Sequence, residues 1–193
     1  MRKRYLITLL ALSIPLAGCQ IRLAPQLDPF YTAVLREFPT HEAALFGQGN
    51  YLIRQGRYFE AVEYFRRLVS HFPEHEGGWI SLGQCELELN QFRRAETAFR
   101  RAEGLERSLE SQIGLANSLI FQGRVEEARE VATAIEQHMG ASAILYRILG
   151  DIAFVEKNSR QAVDYYHKSL ASSPNQKDLR DRITDIEQHL TFK

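Results

Sequence analysis

The sequence predicts an all-α solenoid in which pairs of helices repeat along the chain. Three observations carry that expectation. Phe38-Pro39-Thr40-His41-Glu42 returns as Phe72-Pro73-Glu74-His75-Glu76, which puts Pro73 a step of 34 after Pro39. A small residue recurs at Ala61, Ala95, Ala128 and Ala162, in steps of 34, 33 and 34. No stretch alternates Val, Ile or Thr with polar residues in the manner of a strand. A period of this length marks units that cannot bury an apolar face alone and stack in order to do so. With 24 basic and 24 acidic residues in 193, and an apolar content of 45%, the chain reads as folded and has no polycationic footprint for nucleic acid.

Residues 1–18 read as a signal peptide. Met1-Arg2-Lys3-Arg4 is followed by an apolar run from Tyr5 to Pro15, about half of the ~20 residues a spanning helix needs. The run ends in Leu16-Ala17-Gly18-Cys19, which resembles the bacterial lipobox at all four positions. That resemblance implies diacylation of the Cys19 sulfur, cleavage just before it and acylation of the new amino group with palmitate-type chains. Several acyl chains hold a protein stably where one holds it marginally. Gram-negative lipoproteins with Asp after the acylated cysteine tend to stay in the inner membrane. Gln20 therefore implies the outer membrane, with the folded part facing the periplasm. Residues 19–27 form the lipidated cysteine and a tether, whose eight residues after Cys19 reach at most about 30 Å. Cleavage removes Arg2, Lys3 and Arg4 and leaves three more acids than bases.

Residues 28–41 hold a leading helix, Asp28 to Phe38. It reads as the second half of a degenerate unit, because Pro39 stands where Pro73 ends the next one. Four units follow across 42–176, at about 42–75, 76–108, 109–142 and 143–176. Gly49, Gly83, Ala116 and Gly150 take one small position, with Trp79-Ile80-Ser81-Leu82-Gly83 as its fullest context. Gly56, Asn90 and Gly123 mark the turns within pairs, where a left-handed conformation is useful, and Lys157-Asn158 does so less typically. Tyr58, Phe92 and Val125 follow those turns. Phe65, Phe99 and Tyr166 fill a large apolar position from which Ala132 departs. The third unit has the fewest markers and is the candidate for irregular packing. In 177–193, Leu179, Ile183, Ile186 and Leu190 fall at helical spacing, as a capping helix requires.

These marks resemble the tetratricopeptide repeat, a helix-turn-helix unit of about 34 residues. The resemblance covers 40–176 well and 28–190 loosely. It implies a right-handed superhelix of about four repeats, with function on the concave surface lined by the first helix of each pair. On that register Asn50, Gln84, Asn117 and Asp151 form a polar ladder, beside an apolar row of Ile53, Leu87, Ile120 and Phe154. Phe46, Arg54, Ile80, Ile113 and Phe121 complete the candidate groove. Such a surface suits a partner peptide: the amides bond its backbone and the apolar row takes its side chains. A second reading stays open, in which the N-terminal segment or the capping helix fills the groove. The carboxylate clamp of chaperone-binding repeats is not expected. Asn50, Arg54 and Asn117 match it, but Phe46, Ile80 and Ile113 stand at the other clamp positions.

No catalytic, cofactor or metal constellation is expected. His71 and His75 are separated by Pro73, which ends the helix. Cys85 reads as a small core residue. There is no Gly-rich phosphate loop and no nucleophile turn, so neither an enzyme nor a small-molecule substrate is expected. The pairs Arg66-Arg67, Arg93-Arg94 and Arg100-Arg101 read as a solvated convex face with neighbouring Glu. A lipobox followed by about four repeats resembles the lipoproteins of the tight-adherence (Flp/Tad) pilus and the pilotins of type IV pili. That resemblance implies a scaffold in assembly of an envelope machine, with secretin or pilus-assembly components as partners. The alternatives are an adaptor for envelope enzymes, such as peptidoglycan hydrolases or proteases, and a component of outer-membrane protein assembly.

Overall fold

The computed structural model describes residues 27–191, which form ten α-helices and, among the described residues, no strand. The signal, Cys19 and the tether up to residue 26 lie outside the described residues. A lone helix α1 (Leu27–Glu37) leads. Four pairs follow: α2 (Glu42–Arg54) with α3 (Tyr58–His71), α4 (Glu76–Glu88) with α5 (Phe92–Leu105), α6 (Leu109–Phe121) with α7 (Val125–Met139), and α8 (Ala143–Val155) with α9 (Ser159–Ser172). The helix α10 (Lys177–Thr191) closes the array. The expected all-α superhelix of about four repeats, with a leading and a capping helix, is what the chain forms.

Each pair starts on the same device. The residue before its first helix accepts a hydrogen bond from the third backbone N–H inside, which satisfies one of the four orphan donors. Ala44 N–H donates to His41 Nδ1 at 3.3 Å and Gly78 N–H to His75 Nδ1 at 2.9 Å. In the later pairs Ser111 N–H donates to Ser108 Oγ at 3.4 Å and Leu145 N–H to Ser142 Oγ at 3.2 Å. The turns within pairs are left-handed at Gly56 (φ 71°), Asn90 (57°), Gly123 (73°) and Lys157 (62°). Lys157 therefore bears the strain that glycine avoids elsewhere.

An aromatic side chain locks each regular pair. A Cβ on Gly49 would lie 2.5 Å from the Phe65 ring, one on Gly83 2.8 Å from Phe99, and one on Gly150 2.4 Å from Tyr166. Phe99 also reaches forward into the following pair, where a Cβ on Gly114 would lie 2.2 Å from its ring, and Tyr31 of α1 does the same at Gly47, where the distance would be 2.3 Å. The third unit keeps the helix order of the others but packs less closely, as its missing markers suggest: α7 meets α6 and α8 over less of its length than α3 and α5 meet their neighbours. Its small Ala132 lies opposite Ala116, and the next helix brings Ile148 where the other pairs are followed by Ser81 and Gly114. Ala116, Ala132 and Ile148 are all buried in one cluster, so the volume missing at position 132 is made up by its neighbours.

The core runs as three clusters: one centred on Phe65 in the first two units, one from Phe99 to Ile152, and one in which Tyr166 meets Leu179, Ile183 and Ile186 of α10. The first helices touch each other in succession, α2 to α4 to α6 to α8, whereas α3, α5, α7 and α9 meet only helices of neighbouring first positions or the cap. The first helices therefore line the inner, concave wall.

Candidate functional site: the concave trough

A trough of about 570 Å³ runs along the inner wall of the last three units. Leu87 and Glu88 of α4 and Asn90 of the following turn form one side. Asn117, Ile120 and Phe121 of α6 form its floor, and Arg147, Asp151, Phe154 and Val155 of α8 the other side. An adjoining hollow of about 270 Å³ shares Asn117, Arg147 and Asp151 with it and adds Ile113 and Ile144. The helical period explains the grouping. Asn117, Ile120 and Phe121 lie three and four apart, on one face of α6, and Arg147, Asp151 and Phe154 do the same on α8.

Of the thirteen groove residues expected from sequence, the structure brings together Leu87, Ile113, Asn117, Ile120, Phe121, Asp151 and Phe154 around the trough and hollow. Phe46, Asn50, Ile53, Arg54, Ile80 and Gln84 line neither. Phe46 instead packs edge-on against Phe65 at 6.0 Å and lies 4.9 Å from the His75 ring. Ile53 and Ile80 pack against the core clusters. Within the apolar row exposure is uneven. Ile120 is 6% exposed and belongs to the core as much as to the wall, whereas Phe121 is 59% and Phe154 43% exposed. Phe121 stacks on Phe92, with centroids 5.0 Å apart and planes at 17°, which holds its ring at the trough edge.

Sequence reasoning missed Arg182, which closes the far end. It reaches from α10 to Asp151, lies over the rings of Phe154 and Tyr166, each 5.9 Å away, and lines the trough. Tyr166 Oη also donates to Asp151 at 2.8 Å. Burial, together with the Asp151 carboxylate, pushes the Tyr166 hydroxyl well above its ordinary range, so it stays protonated and donating. Asp151 thus serves the end wall, and of the expected ladder Asn117 is left facing the trough, joined there by Glu88, Asn90 and Arg147. A register signal existed: Arg182 stands one repeat period after Ile148, on the helix face turned to the preceding pair.

Beyond the trough, Cys85 is fully buried, and its thiol is pushed up to about 12 by burial and then by Glu86 and Glu88, which makes it unreactive. On the convex side Arg124 joins Glu96 at 2.6 Å and Glu127 at 2.5 Å, and Arg100 bonds Glu96 at 3.0 Å. Among the described residues no three His, Cys, Asp or Glu side chains are placed to hold a metal ion, and no helix is long and apolar enough to cross a membrane.

A family model for the tetratricopeptide repeat matches residues 31–76, 46–111 and 113–177. Anaphase-promoting complex subunit 7 of Arabidopsis thaliana is 29% identical over 115 residues, which are 59% of this chain and 21% of that protein; the chain thus spans about a fifth of that relative's length. Among solved structures, the anaphase-promoting hetero-tetramer Cut9–Hcn1 superposes with a TM-score of 0.72 at 16% identity, over 86% of this chain and 33% of that one. YrrB, described as a repeat protein with an unusual peptide-binding site, superposes with a TM-score of 0.67 at 21% identity, over 81% of each chain. These structural likenesses are likenesses of fold.

Proposed function

The chain belongs to the tetratricopeptide-repeat family, and from that premise we propose that it is a lipid-anchored scaffold which holds a partner protein at the outer membrane, facing the periplasm. Repeats of this family form protein–protein interaction scaffolds, and the concave trough is the surface this array offers. The observation that carries the location is Leu16-Ala17-Gly18-Cys19, placed after a basic and apolar leader and directly before the array. Lipidation of Cys19 supplies the membrane attachment. Gln20 supports the outer membrane in a Gram-negative host.

The partner is a component of an envelope machine, in the first place the secretin or assembly proteins of a tight-adherence or type IV pilus or of a secretion system. A chain segment with spaced apolar side chains fits the trough. Its side chains would meet Leu87, Phe121 and Phe154, and its backbone would bond Asn90 and Asn117. Two variants test the reading. Cys19→Ala should move the protein out of the membrane fraction and abolish lipid labelling; persistent labelling would overturn the anchor. Phe121→Asp with Phe154→Asp should weaken capture of an envelope-assembly protein, crosslinked in living cells from position 117, at least about tenfold, as the loss of two anchors implies. These two side chains are exposed, so the helical signal should not change.

A further inference from the structure

The two ends of the array are finished differently. α10 starts at Lys177, one repeat period after α8 starts at Ala143, so it stands as the first helix of a fifth pair. Its residues at the positions of Leu45, Gly49 and Leu52, all buried in the first unit, are Arg180, Thr184 and Glu187, all exposed. That is the polar outer face a terminal repeat needs. α1 is the converse case. Tyr31 stands one repeat period before Phe65 and packs on Gly47 as Phe99 packs on Gly114, so α1 is the second helix of a pair. Its face away from α2 is apolar and uncovered. Phe30 is 62% exposed, although its counterparts Tyr64, Ala98, Val131 and Tyr165 are half-buried or buried. Val34 is half-buried, although its counterparts Leu68, Ala102, Ile135 and Ser169 are all fully buried.

By the same register, the first helix of this leading pair would be drawn from residues 8–20. Those are the apolar run and the lipobox, which processing removes or acylates. The stretch of chain from Cys19 to the start of α1 reaches at most about 30 Å when extended. We propose that the uncovered face of α1, centred on Phe30, docks on the lipid surface in which the Cys19 acyl chains are held. The array then stands end-on, and its trough, built by the last three units and the cap, lies beyond the first pair as seen from the bilayer. The proposal rests on the lipid-anchored reading. An aromatic side chain on a helix lying at the headgroup boundary gains from burial there, and the covalent chains supply the proximity.

The test uses the acylated full-length protein bound to vesicles of phosphatidylethanolamine and phosphatidylglycerol that carry a doxyl quencher. An environment-sensitive fluorophore is placed on Ala33→Cys, beside Phe30, or on Thr184→Cys at the capped end. The native thiols do not interfere, because Cys19 is acylated and Cys85 buried. Quenching at position 33 should exceed that at 184 by about fivefold or more, and Phe30→Ser should lower it by about half or more while the protein stays on the vesicles. Equal, weak quenching at both sites on acylated, vesicle-bound protein overturns the proposal and leaves the anchor standing. Crosslinking between two copies through position 33, without quenching, overturns it in favour of a second copy as occupant. Failure of the protein to carry lipid on Cys19, read by mass, overturns the anchor and this inference together.

Discussion

The side-chain amide of Gln112 is buried in α6, and its Nε2 has no hydrogen-bond partner. It stands at the position that Leu45 and Trp79 fill in the first two units. Trp79 there solves its polar problem by donating from Nε1 to Pro73 O at 2.8 Å, which Gln112 does not match. A buried donor left unpaired costs roughly 1–3 kcal/mol, whereas an apolar group of similar size at the site does not. Gln112→Leu should therefore stabilise the protein by about 1 kcal/mol in denaturant unfolding; a loss of stability would show that the amide is paired in solution.

At the scale of single helices, α7 shows how a departure is absorbed. Ala132→Phe would restore the aromatic lock of the other pairs. It should nonetheless destabilise by about 1–3 kcal/mol, because Ala116 and Ile148 already occupy the space. Adding Ala116→Gly and Ile148→Ser, the residue types found around Phe65, should recover a large part of that loss. No recovery would mean that the pair is distorted for another reason. The boundaries of the helices were legible because their signals are local: a turn residue of left-handed type, a proline, a spacing of 34. The compensation at Ala132 was not legible, since it depends on Ile148, which lies in another pair. The end caps were half legible. The recurring Phe-Pro-x-His-Glu segment was visible, but that His41 and His75 act as the acceptors Ser108 and Ser142 replace follows only from the geometry. For the trough, seven of the thirteen residues named by register line it or its adjoining hollow. The first unit dropped out because Phe46 and Ile53 are drawn into the core, and Arg182 was hidden because it belongs to the cap.

Across the whole molecule, neighbouring units are joined on the outside by charged side chains. Partial burial alone would raise the Glu96 carboxyl, but hydrogen bonds from Gln122, Arg124 and Arg100 outweigh it and hold it below its ordinary range. Arg124, with Arg100 nearby, lowers Glu127 likewise. Carboxylates lowered by folding add stability that is complete above their unfolded value, about 4.3, and is lost as the pH falls through the folded value. Glu96→Gln should thus lower the melting temperature at neutral pH, and the difference from the parent should shrink steadily below about pH 4. A difference that stays constant down to pH 3 would remove Glu96 from that role.

The first helices press on one another along the inner wall, while the outer row is spanned by long side chains such as Arg100 to Glu127 at 3.5 Å and Arg129 to Glu156 at 2.7 Å. Exposed pairs of this kind are weak and fade within a Debye length of about 8 Å at physiological ionic strength. Each second helix also packs on the first helix of the next pair, as α3 does on α4 and α5 on α6, so the units are held mainly through the layer between the two rows. Added salt therefore loosens the outer ion pairs and leaves the apolar seams that shape the trough in place.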